Sequence, residues 1–305
     1  MRAAILETVG ASLVLREVAE PTPGREESVV TVHAAAINYA DTLIRRGLYP
    51  QPPPLPWIPG VEVSGTIGDG RKVIGLIRAG GGGFADQAAV EDDWLFDLPA
   101  DASAAEGASF LTAFLTAWLP LTRQANVRPG SRVLVHAAAG GVGSAAIQVA
   151  RVLGAEVVAT AGSEAKCERA LELGATQAVT YDRLPELEPV DVVLDPVGGS
   201  LLADSLRLLR PFGVALAIGF AGGPWSPLDP ALLVGRNIGV QGFYLGRLMQ
   251  LRPDLVQTAA TDLVRLWEAE LLGPVVGSTF PLTEANEAMQ LLEGRHSTGK
   301  VVLLP

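Results

Sequence analysis

The spacing of apolar residues changes near position 100. Before it they come in short runs, "SVVTVHAAAI" (28–37) and "FADQAAV" (84–90), separated by proline and glycine clusters. "YPQPPPLPWIPG" (49–60) has six prolines in twelve residues, which excludes helix and interior strand across it. Short strands with frequent breakers predict a barrel-like β domain. "DASAAEGASFLTAFLTAWLPLTRQA" (101–125) then reads as one helix with Asp101 or Ser103 as N-cap.

From Arg132 strands and helices alternate. The predicted order is strand "RVLVH", helix 142–153, strand 156–160, helix 163–173, strand 177–181, strand 190–195, helix 199–210 and strand 213–220. The strands are continuous apolar runs, as expected when helices cover both faces of a parallel sheet. This predicts a doubly wound α/β domain with "NIGVQGFYL" (237–245) as its last strand. A helix follows at 253–270, and the tail again mixes short strands with one helix. The layout predicted is a β domain interrupted by a nucleotide domain, with the C-terminus returning to the first.

Composition narrows the class. Of 305 residues, 49% are apolar and 18% charged, enough for a sizeable core. The formal charge is −10 with no long lysine/arginine run, which disfavours a nucleic-acid partner. The single cysteine, Cys167, rules out an intrachain disulfide and every cysteine-rich zinc site. The start "MRAAILETVG" is too short in its apolar run for a signal peptide, and "FLTAFLTAWLPL" (110–121) falls short of a membrane span. The expectation is a soluble cytoplasmic protein with no membrane partner.

The first strand–helix turn carries "VHAAAGGVGSAA" (135–146). The dinucleotide fingerprint G-x-G-x-x-G here becomes Ala138-x-Gly140-x-x-Gly143. Gly140 lets the backbone approach a pyrophosphate, Gly143 lets the helix pack on the strand, and the helix N-terminus faces the anion. Ala139, Gly140, Gly141, Val142 and Gly143 are therefore candidate cofactor contacts; the competing reading is a tight turn with no ligand.

The end of the second strand selects the dinucleotide. NAD sites place a carboxylate there for the ribose 2′-hydroxyl. This chain has Thr160, Ala161, Gly162 and Ser163 there, with Glu164 nearby but one step late, then Lys166 and Arg169 on the next helix. Ser163 and Lys166 suit a 2′-phosphate, which predicts NADPH; the alternative is a capped helix with an ordinary surface lysine.

The chain resembles the zinc-independent quinone oxidoreductase and zeta-crystallin branch of the medium-chain dehydrogenase/reductase superfamily over nearly its whole length. The resemblance is carried by "INYADTLIRRGLYP" (37–50), "PGVEVSG" (59–65), "LTAWLPL" (115–121), "VRPGSRVLVHAAAGGVGSAAIQVA" (127–150), "LDPVGG" (194–199) and "STGKVVLLP" (297–305). It implies a Rossmann-type doubly wound sheet at 104–264 and a GroES-like β-barrel catalytic domain split between 1–103 and 265–305.

Related alcohol dehydrogenases hold zinc through a cysteine, a Gly-His-Glu and a second cysteine or acid. Here Asn38 stands at the first position and Val61 in the histidine slot of Gly60-Val61-Glu62. His33, His136 and His296 have no ligand spacing, so no metal site is expected. By resemblance, Asn38 lies near the nicotinamide, bonding cofactor or acceptor, and Tyr49 lines the substrate cleft as the second catalytic candidate. Asp41 and Arg45 fix their loop.

Thr116, Gly162, Ser163, Lys166 and Tyr181 are implied on the cofactor side. Val197, Gly219, Phe220 and Phe243 are implied around the nicotinamide, with Lys300 returning towards the site as a further cofactor contact. Trp225 is a candidate apolar wall. Two departures weaken substrate inference: Leu43 replaces a tyrosine of some relatives, and "TIGDGRKVIGL" (66–76) is a short hairpin.

The implied function is hydride transfer from NADPH to a quinone. Alternatives are reduction of an activated C=C bond in an enone or enoyl thioester, and a non-catalytic NADPH-binding protein. A homodimer through the last strand is also implied.

Overall fold

The computed structural model describes residues 1–78 and 80–305. Contacts within the chain divide it into two units: Met1–Thr112 with Gly246–Ala269 and Pro274–Pro305, and Ala113–Leu245 with Glu270–Gly273. This division differs from the expected boundaries at 103/104 and 264/265. Residues 104–112 cluster with the first unit, as does the whole helix Pro253–Glu268. Trp267 stacks on Phe110 at 4.5 Å between ring centroids, and Gln257 donates to the Asp93 carbonyl.

The second unit holds six parallel strands in the order Gln177–Thr180, Glu156–Ala161, Arg132–Val135, Val190–Asp195, Leu209–Ala217, Gly239–Gly242. Numbered along the chain this is 3-2-1-4-5-6, the doubly wound order. The order reverses at Arg132–Val135, so the glycine loop that follows sits at the switch point. Leu134, Val158, Val193 and Ala215 join Leu202 and Leu206 in its core.

Four elements depart from the predicted pattern. The helix expected over 101–125 is instead Ala104–Ala108, Leu111–Leu119 and a wide turn Pro120–Gln124. Ser103 is its N-cap, its hydroxyl accepting from Glu106 N–H while Glu106 accepts in return from Ser103 N–H. The break follows Ser109, whose hydroxyl donates back to the Ala105 carbonyl at 2.7 Å, a bond that bends helices. Pro120 then has no N–H to continue the ladder, and its carbonyl accepts from Ala125 five residues on.

The helix expected over 199–210 ends at Ser205, with one tight turn Leu206–Leu208 after it. Pro211 drives the residue before it into extended backbone, so the next strand starts early, at Leu209, with a register shift before Val214. The last strand is only Gly239–Gly242.

The first unit is built on the eleven-residue strand Glu27–Ile37. Its start pairs with Gln87–Glu91, its middle with Glu62–Thr66, and its end with Lys300–Leu304, all antiparallel. Ala35 lies opposite Val63, and Ile37 lies opposite Val301. One end of three adjacent strands therefore gathers Asn38, Glu62 and Lys300, which the sequence separates widely. The short hairpin between Glu62–Thr66 and Lys72–Leu76 closes through Ile67 N–H on the Arg71 carbonyl.

Candidate functional site

In the second unit the site is made largely of backbone. The chain leaves Arg132–Val135, passes buried His136, and turns through Ala137 at φ +49°. A Cβ on Gly143 would stand 2.2 Å from the Ala137 carbonyl oxygen, so only glycine lets the helix Gly141–Val152 pack this close to the loop. Gly140, the N-cap, supplies no side chain, and among the described residues no side chain caps this helix start. Its first N–H groups, with the positive end of the helix dipole, form a ready anion site.

At the end of Glu156–Ala161, Gly162 and Ser163 are exposed. Ser163 is the N-cap of the helix Glu164–Glu172, with no cap bond from its own hydroxyl among the described residues. Lys166 follows one turn later, half-buried, and burial holds its ammonium below its ordinary pKa. A Cβ on Gly162 would meet only Tyr181, at 3.8 Å. The fold thus brings Gly162 beside Tyr181, with Ser163, Glu164 and Lys166 on the adjoining helix start. Thr116 lies half-buried on Leu111–Leu119.

His136 sits beneath this patch as a structural group. Ser205 Oγ donates to the Leu201 carbonyl, so it accepts from His136 Nε2–H at 2.7 Å. Thr160 Oγ1 therefore donates to Nδ1 at 2.6 Å. Burial holds the imidazole neutral, its pKa lowered to about 3. Both ring nitrogens are committed to hydroxyls, which leaves none for a metal.

The expected nicotinamide contacts follow the C-terminal ends of neighbouring strands. Asp195 ends Val190–Asp195 and accepts from Val197 N–H at 2.8 Å and from Gly198 N–H at 3.0 Å. Burial raises its pKa to about 6. The Val197 turn packs on the next loop: a Cβ on Gly219 would be 2.9 Å from the Pro196 carbonyl oxygen, and Gly222 N–H donates to the Val197 carbonyl. Phe220 faces half-exposed Trp225 at 5.5 Å between ring centroids. Phe243 N–H donates to the Ala217 carbonyl just past the last strand.

The first unit supplies a different kind of site, made of buried charge. Lys300 Nζ donates to Glu62 Oε1 at 2.6 Å and to Asn38 Oδ1 at 2.7 Å. Asn38 Nδ2 donates to the same Glu62 Oε1 at 3.0 Å, and Glu62 Oε2 accepts from Thr112 N–H. Both Lys300 and Glu62 are buried. Asp41, in the first turn of Tyr39–Arg45, accepts from Asn38 N–H at 2.8 Å and from Gly60 N–H at 3.4 Å. Burial raises its pKa to about 6. Gly60 has φ +92° and no room for a Cβ, which would lie 2.5 Å from the Phe84 ring. Arg45 pairs with Glu293 at 2.6 Å, and Tyr49 follows half-buried. Asp41 and Arg45 are thus anchors of this loop.

Comparison with known proteins agrees with both halves. Residues 24–100 match the alcohol dehydrogenase GroES-like domain, and residues 141–263 match the zinc-binding dehydrogenase family. Quinone oxidoreductase-like protein 2 of Rattus norvegicus is 35% identical, over 99% of this chain and 91% of its own. The crystallised quinone oxidoreductase of Thermus thermophilus, also solved with NADPH, is 40% identical, with a TM-score of 0.91 over 100% of both chains. The Escherichia coli quinone oxidoreductase complexed with NADPH is 28% identical, with a TM-score of 0.90 over 100% of both chains. The chain belongs to the quinone oxidoreductase branch of the medium-chain dehydrogenase/reductase superfamily.

Within that oxidoreductase family, one matched domain takes its name from zinc. Among the described residues no group of three or more His, Cys, Asp or Glu is placed to hold a metal ion. His33 and His296 are exposed and far apart in sequence.

Sequence reasoning missed two residues of this quinone oxidoreductase-like site. Asp195 had a local signal, a carboxylate two residues before a free N–H in "DPVGG", the pattern of an Asx turn. Glu62 stood only as the last residue of Gly60-Val61-Glu62, and its pairing was hidden because Lys300 lies 238 residues away.

Proposed function

We propose that this chain is a zinc-independent, NADPH-dependent reductase that transfers hydride to a quinone. The observation that carries the cofactor reading is the end of Glu156–Ala161, where exposed Ser163 and half-buried Lys166 follow Gly162 and the first carboxylate, Glu164, comes only inside the next helix. The residues present fit the cofactor. The uncapped helix start at Gly140 and Gly141 suits the pyrophosphate, with Ala139, Val142 and Gly143 shaping the turn. Ser163 and Lys166 suit the 2′-phosphate, beside Gly162 and Tyr181. Val197, Gly219, Phe220 and Phe243 are assigned to the nicotinamide end, and Thr116 to the cofactor as well. NADPH, when bound, supplies the hydride.

The protein contributes position and hydrogen bonds. Asn38 is assigned to the cofactor and the acceptor, and Tyr49 to the acceptor, whose oxygen gains charge as hydride arrives. Lys300 belongs to the same machinery through Asn38. The quinone assignment is supported by the relatives' names, and by the lack of any basic cluster for a coenzyme A phosphate beyond Arg45-Arg46 and Arg71-Lys72. Arg45 and Arg71 are moreover paired with Glu293 and Asp69.

We also propose a homodimer joined along the edge strand Gly239–Gly242, because an unpaired edge strand invites pairing. A sedimentation profile with only monomer would end that idea. A cytoplasmic setting is proposed on the single, buried Cys167; no described helix is long and apolar enough to cross a membrane.

The test is NADPH oxidation by the purified, metal-free protein with a panel of quinones, an enone and an enoyl thioester. Faster turnover of quinones supports the assignment. Preference for the alkenes moves the function to ene reduction, and tight NADPH binding without turnover of any acceptor leaves a non-catalytic binding protein.

A further inference from the structure

The Asn38 amide is held in one orientation by chemistry alone. An ammonium only donates, so the atom facing Lys300 must be the amide oxygen; a carboxylate only accepts, so the atom facing Glu62 must be the amide nitrogen. The three contacts, at 2.7, 3.0 and 2.6 Å, close a triangle of Lys300, Asn38 and Glu62. Glu62 is held in turn by Thr112 N–H, and Asn38 N–H by Asp41. Asn38 is only half-buried, whereas Glu62 and Lys300 are buried behind it. Its second amide hydrogen has no acceptor among the described residues.

We propose that Lys300 and Glu62 are positioning residues that lock and polarise the Asn38 amide, leaving its second N–H as a fixed donor to the acceptor oxygen. An ammonium on the carbonyl oxygen draws electron density from the amide nitrogen and strengthens the bond its free N–H can make. A donor already aimed in the resting protein needs no reorganisation when charge develops on the acceptor oxygen. Lys300 thereby acts through Asn38 and has no contact of its own with the reacting atoms. The inference rests on the assignment of Asn38 to the acceptor, and it adds the two residues that give that amide its direction.

The experiment compares wild type, Asn38→Ala, and the neutral pair Lys300→Met/Glu62→Gln. The pair removes both buried charges together, so it keeps the fold where Lys300→Met alone leaves an unpaired carboxylate. The Asn38 side-chain amide is observed by NMR, its signals identified by their loss in Asn38→Ala. In wild type its two protons differ widely in shift, and in the neutral pair they converge.

With NADPH and a quinone, the neutral pair lowers kcat by about tenfold or more while KM and the NADPH Kd stay within about twofold. Added to Asn38→Ala, the same pair costs less than about twofold further, because the two changes share one route. Unchanged Asn38 shifts in the neutral pair overturn the locking without recourse to any acceptor. Losses that multiply on Asn38→Ala, or that fall on NADPH affinity, overturn the route through Asn38. A wild-type protein that turns over no acceptor overturns the functional reading instead, and is distinguished by its intact amide signals.

Discussion

The two units each carry a candidate site, built from different materials. In the second unit the groups assigned to cofactor include main-chain N–H groups and glycines at strand ends, with Thr116, Ser163, Lys166 and Tyr181 as the polar side chains. In the first unit they are side chains, and the charged ones, Asp41, Glu62 and Lys300, are buried. Backbone donors are fixed by the fold itself and cost nothing extra to hold. Buried charges are stable only as a complete set, because each one left alone carries a large desolvation penalty. The first design tolerates side-chain change but not added bulk; the second tolerates removal of the set but not of one member.

The largest expected effect follows from that contrast. Lys300→Met should lower stability by about 3–5 kcal/mol, because Glu62 then stays buried and unpaired; adding Glu62→Gln should recover most of it. Calorimetric unfolding of the single and double variants decides this, and equal losses in both would break the comparison.

Bulk in the glycine loop comes next. Gly143→Ala puts a Cβ 2.2 Å from a backbone oxygen and should cost about 3 kcal/mol along with NADPH affinity. Gly162→Ala meets nothing nearer than 3.8 Å and should change stability by less than about 0.5 kcal/mol. Denaturant midpoints for the two alanines, read side by side, should differ accordingly.

His136 gives a smaller effect, with a defined sign. Its folded pKa, about 3, lies below the ordinary 6.5, so the native state binds fewer protons than the unfolded chain between these values. The stability it contributes is complete above 6.5 and drains away as pH falls towards 3. Asp41 and Asp195, both raised to about 6 from 3.8, act oppositely: their contribution is complete below 3.8 and is lost as pH rises through about 6. Comparing wild type with His136→Asn cancels the carboxyls. Wild type should lose about 2 kcal/mol more than the variant between pH 7 and pH 5, and parallel pH–stability curves would contradict this.

Smallest is Ser163→Ala, which should take about 1.5 kcal/mol, or tenfold, from NADPH and leave NADH binding unchanged. Fluorescence titration with both cofactors checks it.

What could be read from the sequence divides along the same line as the site. The glycine loop and the alternating strands were legible because their signals are local: Gly140 and Gly143 lie within one turn, and each parallel strand is a continuous apolar run. Ser109 broke the long predicted helix by donating to the carbonyl four residues back, and Pro120 altered it by lacking an N–H, its own carbonyl accepting from Ala125; periodicity registers neither. The triangle of Asn38, Glu62 and Lys300 was not legible as a unit. It forms only when Glu62–Thr66 and Lys300–Leu304 flank Glu27–Ile37 in one register. Asn38 and Lys300 were reached separately by resemblance, and Glu62 was missed.

The most direct test of the central claim, that the second unit is built for NADPH, is calorimetric titration of the wild-type protein with NADPH and with NADH. NADPH should bind tighter by about two to four powers of ten, from two charge-assisted contacts at Ser163 and Lys166. Equal affinities, or a preference for NADH, would contradict it.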